Sequence, residues 1–130
     1  MLPNEMDSAE LSAIVADLAE LHRWELDNIP YMRTMTGRHL YFAAAQRAVG
    51  DRSQLERSLK ELFSSPHLTE KALRTRMQDM LADDLFISMP SMVDTRNKYL
   101  VPTEKFYEFV YTHADQARKI FKTNFLMFRK

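Results

Sequence analysis

The sequence predicts a mainly α-helical chain carrying one small β-hairpin. Two observations carry that expectation: apolar residues recur at helical spacing through most of the 130 residues, and two short β-prone runs flank a turn-rich stretch near residue 94. A third concerns order. A turn, an amphipathic helix opening at Thr69 and the hairpin around Asp94-Thr95-Arg96 follow one another without interruption between residues 66 and 105.

The first helix is marked by Asp7 and Glu10, a capping-box-like start, with Met6 and Leu11 placed as a hydrophobic staple. Leu11, Ile14, Val15, Leu18 and Leu21 form one apolar stripe, and the helix should stop near Asn28, before Pro30. A second helix, from about Thr36 to Val49, presents Leu40, Tyr41, Ala44, Ala45 and Ala48 and ends at Gly50, a favourable C-cap residue. A third, from about Ser53 to Phe63, aligns Leu55, Leu59 and Leu62 and ends before Pro66.

The helix after Pro66 is the most legible. The Thr69 hydroxyl can accept from a free backbone N–H, and Glu70 suits the positive end of the helix dipole. Leu73, Met77, Met80, Leu81 and the terminal Asp84 share one side, so the apolar members should face the core. Lys71, Arg74, Thr75 and Gln78 share the other, and such cationic and amide side chains reach phosphates and base edges. A charged outer face is as often merely solvated, and Arg76 can pair with Asp79 at i,i+3. Leu85-Phe86-Ile87 and Lys98-Tyr99-Leu100-Val101 then suit two paired strands, with Pro90, Ser91, Asp94 and Asn97 supplying turn chemistry. Arg96 and Lys98 at or beside the tip suit the negative potential of a narrow minor groove.

Thr103 caps a long final helix with Phe106, Val110, His113, Ala117, Phe121 and Phe125 on one face, widened by Phe109, Tyr111, Ile120, Leu126 and Phe128. A face this apolar predicts a dimer, since soluble monomers rarely expose such a patch. The alternative is that the terminal helices wrap their own core.

The stretch resembles the winged helix-turn-helix transcription regulators of the multiple-antibiotic-resistance-regulator (MarR) family. The matching residues are Leu62, Leu68-Thr69, Leu73, Met77, Met80, Leu85, Asp94-Thr95-Arg96 and Pro102-Thr103-Glu104-Lys105. The resemblance implies that Thr69 to Asp83 is a recognition helix whose Lys71, Arg74, Thr75 and Gln78 face the major groove, with Thr69 at its start also among the DNA-binding residues. It implies that Arg96 is the wing arginine, oriented by Asp94 with Lys98 beside it, and that residues 1–33 and 103–130 form dimerisation helices around a DNA-binding part at 36–102. Three features depart from the family pattern: Asp84 stands where glycine usually ends the recognition helix, the wing is short and the helix modestly basic, and one long helix follows the wing where many relatives have two. Trp24, Tyr31, Met32, Met35, Tyr41 and Phe42 read chiefly as core. Lining a cavity for a small-molecule effector is their alternative role, as in some regulators of this type.

Composition narrows the function classes. Lys plus Arg number 18 against 18 Asp plus Glu, which argues against indiscriminate nucleic-acid binding. Residues 1–30 hold seven acidic side chains and one basic, whereas residues 31–60 hold six basic and two acidic. Such a split fits a protein with a DNA side and a non-DNA side, and fits equally well a monomer whose halves attract each other. With no cysteine there is no disulfide or thiolate chemistry. Neither a secretory signal after Met1-Leu2-Pro3-Asn4-Glu5 nor a membrane span is expected, which points to the cytoplasm. Gly37 and Gly50 alone cannot build a phosphate loop, and His22, His39, His67 and His113 lack metal-ligand spacing. No enzyme, cofactor or metal site is therefore expected. The expected partners are double-stranded DNA and a second copy of the chain, and the competing class is a winged-helix module that binds another protein.

Overall fold

The computed structural model describes residues 6–50, 68–90 and 98–128, and for residues 90, 98, 99 and 123–128 the backbone alone. Within these stretches lie helices α1 (Ser8–Asn28), α2 (Met35–Val49), α3 (Glu70–Ala82) and α4 (Glu104–Phe128), a 3-10 turn (Pro30–Arg33), and strands β1 (Phe86–Pro90) and β2 (Lys98–Pro102). The chain divides into two compact units, Met1–Pro30 with Tyr111–Lys130, and Tyr31–Val110. The expected helix at Ser53–Phe63 lies outside the described residues, as do Ser91, Asp94, Thr95, Arg96 and Asn97 of the hairpin.

In the first unit, the Asp7 carboxylate accepts from the Glu10 N–H at 2.8 Å, and α1 ends at Asn28 as its sequence predicts. Its stripe is not buried throughout: Val15 and Leu18 are 54% and 53% exposed and Leu11 is also exposed, while Ile14 and Leu21 are half-buried. The buried residues of α1 are instead Asp17 and Glu25. Glu25 lies 2.7 Å from Nε2 of His113, itself buried, and the Trp24 ring stacks on the imidazole at 5.9 Å. Two polar groups are tolerated there because each satisfies the other.

The second unit is built on α2, α3 and the hairpin. Thr34 caps α2, its hydroxyl accepting from the Gly37 N–H, so the helix opens a residue before the expected Thr36. Gly37 is required by close approach: a Cβ there would stand 2.4 Å from the Tyr31 carbonyl oxygen. Leu40, Tyr41, Ala44, Ala45 and Ala48 are buried as expected, and α2 packs on α3. Met35 (76% exposed) and Phe42 are not core residues, contrary to expectation. Met35 opens the helix on its outer side, and Phe42 instead lies beneath the Arg38 guanidinium, 5.1 Å from the ring centre. Phe106, fully buried, joins α4 to this core through the rings of Phe86 (4.5 Å) and Tyr41 (5.9 Å).

The strands pair antiparallel, with Phe86 opposite Pro102, Ser88 opposite Leu100 and Pro90 opposite Lys98. Pro90, whose chemistry predicts a place in the turn, instead ends β1, an end position where its missing N–H is tolerated.

Candidate nucleic-acid interface

The Thr69 hydroxyl accepts from the Ala72 N–H at 3.2 Å and starts α3 where the sequence predicts. Leu73, Met77 and Met80 are buried, Leu81 is half-buried and Asp84 is exposed. Lys71, Arg74, Thr75 and Gln78 are all exposed on the opposite side. Their partners differ. Arg74 donates through Nε (3.0 Å) and Nη2 (2.8 Å) to one oxygen of Glu70, and Thr75 donates to the Lys71 carbonyl at 3.0 Å. Arg76 pairs with Asp79 at 3.3 Å, as its spacing allows.

Charge along α3 is graded. Lys71, Arg74 and Arg76 against Glu70 make the first half basic, while Asp79, Asp83 and Asp84 make its end acidic. That end is built as a Schellman motif: the Leu85 N–H reaches the Met80 carbonyl and the Asp84 N–H the Leu81 carbonyl. Asp84 carries the left-handed conformation, with φ of 59°, whereas Gly50, which closes α2, has φ of −89°. The Tyr31 hydroxyl donates to Asp83 Oδ2 at 2.5 Å, and Lys105 Nζ donates to the Asp83 carbonyl at 2.9 Å. Thr103 Oγ1 donates to the Asp84 carbonyl at 2.6 Å and lies 3.4 Å from the Phe106 N–H, serving both the turn and the start of α4. Burial, reinforced by the bond to Asp83 and the charges of Asp83 and Asp79, pushes the Tyr31 phenol well above its ordinary range.

Of the expected hairpin residues, Lys98 opens β2 with its backbone paired to Pro90, and Asp94 and Arg96 lie outside the described residues. Tyr31, Asp83 and Lys105, which fix the end of α3, were not singled out for that role from sequence, nor was the Glu25–His113 pair. No local signal could have found them, since these partners lie 52, 22 and 88 residues apart. On the exposed side of α4, Asp115 bonds Lys119 at 3.1 Å and also Arg118, and these bonds hold its carboxyl below the usual range. Among the described residues no cluster of His, Asp and Glu suits a metal ion, and no helix is long and apolar enough to cross a membrane.

Compared with known proteins, the chain matches no family model, no curated protein and no solved structure.

Proposed function

We propose that the chain is a sequence-specific, DNA-binding transcription regulator of the winged helix-turn-helix kind, similar to the MarR family, acting in the cytoplasm as a homodimer. The observation that carries this reading is the outward side of α3. Lys71, Arg74, Thr75 and Gln78 stand exposed together on its N-terminal, basic half, the part of a recognition helix that meets base edges. The antiparallel hairpin follows directly, as a wing does.

In this reading Lys71 contacts phosphate, and Arg74 exchanges Glu70 for a phosphate or a guanine edge. Gln78 offers the paired donor and acceptor that suit adenine. The Thr75 hydroxyl is engaged by the Lys71 carbonyl, leaving its methyl for apolar contact with thymine. Arg96, oriented by Asp94 and flanked by Lys98, enters the minor groove. Homodimerisation is supported by the exposed Leu11, Val15 and Leu18 of α1 and by Tyr111 of α4, and a two-fold dimer matches recognition helices to half-sites ~34 Å apart.

The test is a set of single variants titrated against a bound duplex and its base-substituted versions. Arg96→Ala weakens binding to all sequences and makes its salt dependence shallower, by about 0.9 in the log–log slope. Arg74→Ala and Gln78→Ala change the ranking of sites. Parent-like binding by all three variants contradicts the assigned surface.

A second reading, a module that binds a basic protein segment, is favoured by the pairing of Arg74 and Arg76 with carboxylates and by the acidic end of α3. Binding of a basic peptide, with no duplex bound at low salt, distinguishes it.

A further inference from the structure

Three carboxylates gather where a helix tolerates them least. Asp79, Asp83 and Asp84 lie in or just beyond the last turn of α3, at the negative end of the helix dipole. Asp84 adds a left-handed backbone, which a non-glycine residue keeps only when its surroundings hold it. The holding groups are the Tyr31 hydroxyl on the Asp83 carboxylate, the Lys105 ammonium on the Asp83 carbonyl, and the Thr103 hydroxyl on the Asp84 carbonyl.

These donors are not equivalent. Lys105 and Thr103 come from the chain after the hairpin, whereas Tyr31 comes from before α2 and engages a side-chain oxygen. Tyr31 is itself fixed. The missing Cβ of Gly37 lets α2 lie directly on its carbonyl, and its ring meets Phe109 edge-on at 6.5 Å. The hydroxyl is thus presented from a turn already anchored to α2 and to the first turns of α4.

We propose that Tyr31 is a positioning residue: its hydroxyl latches the acidic end of α3 through Asp83 and so sets the tilt of the side that bears Lys71, Arg74, Thr75 and Gln78. The purpose of that tilt rests on the DNA-binding reading above, while the latch itself does not. Residues 52 positions apart are thereby coupled without Tyr31 belonging to the surface it orients.

The experiment uses the full chain with three variants, followed by amide hydrogen exchange and by titration with the bound duplex. Tyr31→Phe deletes the donor and keeps the ring on Phe109. Asp83→Asn keeps an acceptor oxygen, and Asp83→Ala removes it. Losing a hydrogen bond to a charged group should speed exchange over residues 80–87 about tenfold in Tyr31→Phe and in Asp83→Ala. Exchange in α2 should stay within about twofold, and Asp83→Asn should resemble the parent, because the lost contact is local. Affinity for the duplex should fall about fivefold or more in Tyr31→Phe and hold in Asp83→Asn. The latch is refuted if residues 80–87 of Tyr31→Phe exchange as in the parent, or if α2 quickens equally, which marks general destabilisation. Unchanged duplex affinity despite a loosened helix end overturns the positioning role. A parent chain that binds no duplex sinks the DNA reading, and the exchange pattern still decides the latch.

Discussion

In the proposed DNA-binding reading, Arg74 has two alternative partners. In the free chain its guanidinium rests on Glu70, and both side chains are more than half exposed, so the pair contributes only about 0.3–0.5 kcal/mol. A phosphate or base edge can outbid so weak a contact. Glu70→Gln should therefore cost the helix a few tenths of a kcal/mol while tightening duplex binding and steepening its salt dependence. Thermal melts and titrations at several salt concentrations measure the two effects, and looser binding by Glu70→Gln contradicts this role for Arg74. The outward placing of Lys71, Arg74, Thr75 and Gln78 was legible in the sequence because 3.6-residue periodicity fixes which side of a helix each occupies once Leu73 and Met77 are buried. The Arg74–Glu70 contact is equally local, at i,i+4, yet spacing alone does not choose among the partners a flexible arginine can take.

At the scale of elements, the junction of α3 with the hairpin decides how the candidate surface is presented. Its hydrogen bonds follow the Schellman pattern with aspartate where glycine fits best. Asp84→Gly should stabilise the chain by about 0.5–1 kcal/mol, because it relieves the left-handed backbone and removes one charge from the negative helix end. Asp84→Val should destabilise it by about 1–2 kcal/mol. Urea midpoints for the two variants check the opposite signs, and a loss of stability in Asp84→Gly contradicts the strain assigned here. The caps at Asp7 and Thr69 were legible because each acts within three residues. Pro90 was not, because its turn-forming chemistry competes with a strand end that it also tolerates. Tyr31 was out of reach altogether, since its bond to Asp83 exists only once the 3-10 turn and α3 are in place.

At the scale of the whole molecule, α1 turns acids inward and leaves apolar residues outside. Asp17 and Glu25 are buried while Val15 and Leu18 are more than half exposed, an inversion that a partner surface would resolve. Periodicity located this stripe but could not say that its inner neighbours would be carboxylates, because the Glu25–His113 pair depends on tertiary placement. If the stripe seats a second copy, light scattering should give twice the 15.3 kDa chain mass, and Val15→Glu should shift the chain toward monomer at micromolar concentration. A parent that is monomeric there contradicts the dimer. Both the dimer and the outward side of α3 serve one claim, that the chain reads duplex DNA. Its most direct test is titration of the full chain with labelled fragments of its own upstream region at two salt concentrations. Saturable binding to one fragment is expected at low salt, weakened several-fold or more at the higher salt, with an unrelated fragment bound far less well. Absence of preferential binding to any fragment at low salt contradicts the claim.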